Sequence, residues 1–204
     1  MERRDNYAIH AQQAKQRFLT YDQESLIRKL RLKFDDTYLY MTFLSSPYRI
    51  HRATANVERF AGETWQDGNS YEEVMTLLDL VCDSREDRFL SLRWRNMRDF
   101  GLMFHRSLLE DKDPWAERFQ NDPEGFQRAC IALGGKALPN GDIAYAVELF
   151  DGLCIALQLW FGDEEFPPNL RILWDENALM YLKYETMYFA RGLLFRRIRE
   201  HMER

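Results

Sequence analysis

Three consecutive carboxylates sit in the run Trp160-Phe161-Gly162-Asp163-Glu164-Glu165-Phe166-Pro167-Pro168. Crowded oxygen ligands of this kind suit a hard cation such as Mg²⁺, Mn²⁺ or Ca²⁺. Held close together, the carboxylates would raise one another's pKa and supply an acid/base pair. Left exposed beside aromatic rings, they would grip a basic or apolar partner. A plainer reading is a surface turn with solvated Asp and Glu and with Phe166 as its buried anchor. Asp142 and Asp175 flank neighbouring strand patterns, so four or five carboxylates converge if those strand ends lie side by side. No complete calcium-loop spacing is present. The residues singled out for contact are Trp160, Asp163, Glu164, Glu165 and Asp175. Asp163, Glu165 and Asp175 would be the ligands if a metal-bound water were the nucleophile.

A second constellation interleaves basic and aromatic residues: Arg93-Trp94-Arg95-Asn96-Met97-Arg98, with Arg88, Phe89 and Phe100 nearby. Stacking rings and guanidinium groups are the means by which proteins hold single-stranded RNA or phosphate. The same composition describes a peripheral segment whose arginines pair with acidic neighbours. His10, His51, His105 and His201 are scattered without compact ligand spacing, although His51 lies beside Arg49 and Arg52. Cys82, Cys130 and Cys154 form no C-x-x-C pair and sit in apolar contexts, where cysteine behaves as a small buried hydrophobe. P-loop, G-x-G-x-x-G and G-x-S-x-G patterns are absent. The basic Arg196-Arg197-Ile198-Arg199 suits a helix C-terminus. The sequence therefore assigns neither a catalytic residue nor a cofactor.

The elements that must position these residues are partly legible. Tyr7, Ala11, Ala14 and Phe18 follow helical spacing over 6–19, and a short helix is predicted over 23–30. Residues 31–60 alternate apolar and polar positions and predict an antiparallel meander. Ser70 and Glu73 form a capping-box pattern before Val74, Leu77, Leu78 and Val81. Residues 83–112 show no clear pattern. Asp113-Pro114 and Asp122-Pro123 each signal a helix start, and Gly134-Gly135 signals the second helix's end. Pro139–Asp142 reads as a turn. Ile143 to Leu149 alternates, whereas Leu153 to Phe161 is apolar on both faces and reads as a central strand. Residues 171–174 predict a shorter strand. A closing helix near 184–200 would bury Met187, Ala190, Leu194 and Ile198.

Helices and strands arrive in blocks, which predicts an α+β fold with a largely antiparallel sheet and flanking helices. Residues 1–204 read as one domain, with a division into lobes 1–110 and 111–204 left open. The chain has 28 basic and 33 acidic residues, a net charge of -5 that disfavours a general nucleic-acid binder. Met1 to Asn6 leads into polar sequence, so no signal peptide is expected, and the longest apolar run is too short to span a bilayer. A cytoplasmic, membrane-free protein is the expectation.

Several segments carry a family likeness: Met41-Thr42-Phe43-Leu44, Pro47-Tyr48-Arg49-Ile50, Gly134-Gly135, Gly141-Asp142-Ile143-Ala144-Tyr145 and Gly162-Asp163-Glu164-Glu165-Phe166-Pro167. With Trp174-Asp175 and Tyr184-Glu185-Thr186, they resemble an uncharacterised bacterial domain-of-unknown-function family, number 3786, over roughly residues 5–200. The resemblance implies an origin among largely anaerobic bacteria. Some family members look fused to a cysteine-rich iron–sulfur segment, which is absent from this sequence, and the resemblance supplies no catalytic residues.

The leading functional expectation is an accessory or binding module that engages a protein partner or small ligand through Trp160–Pro168. The alternatives are a small divalent-metal enzyme of hydrolase type, and single-stranded RNA contact through Arg93, Trp94 and Arg95. The aromatic content leaves a homodimer open.

Overall fold

A computed structural model of the chain describes residues 2–67, 70–100 and 114–203, with side chains from residue 6 onward. The fold is α+β, and its strands form two five-stranded antiparallel sheets. Two compact units contain them: Met1–Phe89 with Leu179–Leu193, and Leu90–Ala178 with Leu194–Arg204.

The first unit opens with α1 (Glu2–Leu19) and α2 (Gln23–Leu30). A meander then runs β1 (Lys33–Phe34), β2 (Tyr38–Phe43), β3 (Ser46–His51), β4 (Val57–Ala61) and β5 (Thr64–Asp67), each strand beside its sequence neighbour. Strand alternation sends Leu39, Met41, Phe43, Tyr48, Ile50 and Val57 to one buried face. Helix α3 (Tyr71–Asp83) starts where the capping pattern places it, with Ser70 Oγ accepting from the Glu73 amide at 3.1 Å. The Glu73 carboxylate, expected to reach back to Ser70, accepts from the buried Tyr48 hydroxyl at 2.8 Å.

Polar side chains tie the helices of this unit together. The Arg17 guanidinium pairs with Asp79, and with Asp83 at 3.0 Å. Lys183 also reaches Asp83, at 2.9 Å, and the Thr186 hydroxyl donates to Asp79 at 2.6 Å.

The second unit contains β6 (Trp94–Asn96), α4 (Pro114–Asn121), α5 (Pro123–Ala132), β7 (Lys136–Ala137), β8 (Ile143–Phe150), β9 (Leu153–Trp160) and β10 (Asn169–Asp175). Asp122 caps α5 by accepting from the Gly125 amide at 2.9 Å, with Pro123 at the first helical position. Asp113, the expected cap of α4, lies outside the described residues. Helix α5 ends in a Schellman arrangement. Gly134 adopts a φ of 74, its amide donates to the Ile131 carbonyl, and the Gly135 amide donates to that of Cys130.

The sheet order β6-β10-β9-β8-β7 makes β9 the central strand, as its two-faced apolar pattern predicts. Strand β8 departs from its expected alternation, because Ala144 and Ala146 are buried as well as Tyr145 and Val147. The unpatterned stretch before α4 supplies the short edge strand β6 and a 3₁₀ turn at Met97–Phe100. The last helix, α6 (Tyr184–Met202), fully buries Met187, Ala190, Leu194 and Ile198. Among the described residues no helix is long and apolar enough to cross a membrane.

Candidate functional site

The acidic run connects β9 to β10. Trp160 pairs with Asn169 at the mouth of this connection, and residues 161–168 form the turn between them. Each backbone amide at its start has a side-chain acceptor. The Phe161 amide donates to Asp142 Oδ2 at 2.6 Å, and the Gly162 amide donates to Gln120 Oε1. Asp142 is itself fixed, since its own amide donates to the Leu159 carbonyl at 2.9 Å.

Further along, Asp163 closes the turn on itself. Its amide donates to the Phe166 carbonyl at 2.9 Å. Its Oδ1 accepts from the Glu165 amide at 2.9 Å and from the Phe166 amide at 2.8 Å. The Phe166 and Glu165 amides hold the Asp163 carboxyl below the usual aspartate range. Gly162 has no space for a side chain, because a Cβ there would lie 2.6 Å from the Pro168 nitrogen and 2.8 Å from the Phe166 carbonyl. Only glycine permits so close a backbone approach.

The plain reading of this turn placed Phe166 inside as its anchor. The structure overturns that: Phe166 is 67% exposed and Phe161 is 44% exposed. Hydrogen bonds to Asp142, Gln120 and Asp163 hold the backbone without a buried ring. Glu164 and Glu165 are exposed on the same turn. Trp160 is half-buried, with the Arg171 guanidinium 5.0 Å from its ring centroid.

Asp175 does not join this group. Strand β10 begins opposite Trp160, and Asp175 is its last residue, on the far side of Trp174, which pairs with Ile155. At about 3.3 Å per residue the separation along the strand is about 20 Å. The carboxylate is buried and accepts from the Ser91 amide at 3.0 Å, the Ser91 hydroxyl at 3.1 Å, the Leu92 amide at 2.8 Å and the Asn177 amide at 2.8 Å. These bonds hold Leu92 in the left-handed region, at a φ of 59. Strand register thus separates Asp175 from Asp163 and Glu165, which share the turn. Among the described residues no group of three His, Cys, Asp or Glu side chains could hold a metal ion. Of the two flanking acids, only Asp142 meets the turn, and it acts as an acceptor for backbone.

The Arg/Trp segment resolves into paired charges. Arg95 Nη2 donates to Glu176 Oε1 at 2.9 Å, and Arg93 lies 3.8 Å from the same carboxylate. Trp94 is 37% exposed on edge strand β6. Arg88 donates to the Lys29 and Arg85 carbonyls at 3.0 Å. His105 falls outside the described residues. Burial pushes the Cys82 and Cys130 thiols up to about 12 and Cys154 to about 11, so none is a ready nucleophile near neutral pH. Cys154 is half-buried, less enclosed than its apolar context suggests.

Phe161 and Gln120 were not singled out from the sequence. Phe161 reads as the end of an apolar strand, and its exposure follows from the strand stopping at Trp160. Gln120 sits on α4, and no local pattern links it to a turn 42 positions away.

Comparison with known proteins agrees with the resemblance. The sequence model for the Domain of unknown function (DUF3786) matches residues 22–197, and the chain belongs to that family. No curated protein and no solved structure matches it.

Proposed function

We propose that this member of the DUF3786 family is a cytosolic, non-enzymatic binding module that engages a protein partner through the turn at 160–168. The exposure of Phe166 carries the reading. A large ring held in solvent by an ordered backbone is preorganised for a partner, so little ordering entropy opposes binding. Phe161 and Phe166 supply the apolar contact. Glu164 and Glu165 supply charge that selects a basic surface. Asp163 belongs to the turn's framework, where its side chain positions the contact residues. Small-molecule sites are concave, whereas residues 163–167 are all exposed, which favours a protein partner.

The test is a photo-crosslinking phenylalanine analogue at position 166, installed in the chain within its native host. A discrete adduct is expected, and it should disappear when Glu164 and Glu165 are both changed to Lys. The control carries the analogue at Ile131, which is 56% exposed on α5. The same adducts from position 131, or adducts indifferent to the charge reversal, would overturn the proposal.

A further inference from the structure

The outward face of the β1–β5 sheet has a composition that a solvated face does not require. One row of side chains crosses the whole sheet. Lys33 lies opposite Tyr40, Tyr40 opposite Arg49, Arg49 opposite Glu58, and Glu58 opposite Asp67. Beside this row, Tyr38 lies opposite His51, and Phe60 opposite Trp65. The rings reach across the strands: Tyr40 and Trp65, which belong to β2 and β5, have centroids 6.2 Å apart. Phe60 lies 5.3 Å from Trp65, and Tyr38 lies 6.2 Å from Tyr40.

Under these rings lies a neutralised pair. The Arg49 guanidinium is 3.9 Å from the Tyr38 centroid and 4.4 Å from that of Trp65, and it donates to Glu58 at 2.6 Å. The Arg49 and Glu58 side chains are only 19% and 15% exposed. The centre of the face is thus an aromatic patch without net charge, and its ends are charged. Lys33 is exposed on β1, and Asp67 is exposed on β5.

From this arrangement we infer that the outward face of the β1–β5 sheet pairs with a second copy of the same chain. Take a twofold axis running along the strands, midway between two such faces. It lays β1 of one copy over β5 of the other, so Lys33 meets Asp67 at one end and Asp67 meets Lys33 at the other. The aromatic centres meet each other. The ends of the charge row are therefore complementary, as an isologous interface requires, while Arg49 on the central strand faces its own copy with its charge already neutralised by Glu58. Trp, Tyr and Arg are the residue types that dominate binding energy in interfaces. Packed sheets stand about 10 Å apart, a gap that two layers of such rings fill.

The face measures about 19 Å across five strands and about 17 Å along them, from strand spacing and rise. Two such faces bury about 650 Å² in all, below the roughly 1,200 Å² of a stable specific interface, so the dimer is weak, transient and concentration-dependent. A phosphate-rich ligand fits less well, because Glu58 neutralises Arg49 and Asp67 offsets Lys33. The inference concerns the first unit and does not rest on the function proposed for the 160–168 turn.

Sedimentation velocity of the full chain between about 1 and 500 µM tests it. A reversible dimer is expected. Lys33→Asp alone, or Asp67→Lys alone, turns both end contacts into like-charge pairs and should weaken the dimer about tenfold or more. The double variant Lys33→Asp/Asp67→Lys restores opposite charges at both ends and should return close to the parent affinity. A merely misfolded variant would not be rescued by a second charge reversal. Trp65→Ala should remove the dimer while the circular dichroism spectrum is retained. A chain that stays monomeric over the whole range overturns the inference. So does a dimer that ignores these substitutions, or a double variant no tighter than the single ones.

Discussion

Replacing Phe166 with alanine separates a binding residue from a packing residue. Full burial of a phenylalanine side chain contributes about 1.5–3 kcal/mol. Phe166 is 67% exposed, so about a third of that contribution is in place, about 0.5–1 kcal/mol. Phe166→Ala should therefore lower the unfolding free energy by no more than about 1 kcal/mol. The alternative, a ring anchoring the turn from inside, predicts a loss of about 3–5 kcal/mol. Urea unfolding followed by tryptophan fluorescence resolves that gap, provided the slope is unchanged. Binding should move in the opposite proportion. If the ring is a contact hot spot, its truncation costs about 2 kcal/mol or more, which is about 30-fold in affinity for the crosslinked partner. A stability loss of 3 kcal/mol or more would refute the reasoning, because it would show that the ring packs where the structure leaves it exposed.

Three further outcomes follow from the polar contacts. Arg17→Met removes the cation that Asp79 and Asp83 share and should cost about 2–4 kcal/mol in urea unfolding. The figure sits below that of a fully buried pair because the Arg17 side chain is 31% exposed, and a change under about 1 kcal/mol would refute it. Asp175→Ala removes the buried acceptor shared by the Ser91, Leu92 and Asn177 amides and should cost about 1–3 kcal/mol, with amide exchange rising at Leu92; unchanged exchange there would count against it. The lowered Asp163 pKa gives a stability contribution that is present above the ordinary aspartate value of 3.8 and is lost as pH falls through the folded value. In an NMR titration the Glu165 and Phe166 amides should shift together with a midpoint below 3.8, and a midpoint at or above it would show that the turn bonds are not made.

Local signals in the sequence translated well. The Ser70 cap, the Asp122-Pro123 start and the Gly134 stop each act within a few residues, and the structure shows all three. The two-faced apolar run of β9 was equally readable, since only a central strand buries both faces. Register was not readable. Asp142 and Asp175 look equivalent in sequence, each at an end of a strand pattern. The antiparallel pairing of β10 with β9 puts Asp175 at the far end, whereas Ile143 pairs with Leu159 and so brings Asp142 to the turn. The aromatic face of the first sheet was half visible. Tyr38 and Tyr40 alternate with Leu39 and Met41, but nothing local announces that Trp65 folds back over Arg49 from β5.

The turn at 160–168 also shows how a chain can keep an apolar ring in water without losing order around it. A connection of this length usually gains its conformation by burying a hydrophobic side chain. Here four backbone amides, those of Phe161, Gly162, Glu165 and Phe166, find side-chain acceptors on Asp142, Gln120 and Asp163. Gly162 permits the close approach to Pro168, and the two prolines fix φ before β10 begins. With the backbone defined by polar contacts, the phenyl rings add little to the turn's own stability. Selection for the fold alone would then tolerate polar residues at 161 and 166. On the function proposed above, phenylalanine at both positions serves contact with a partner.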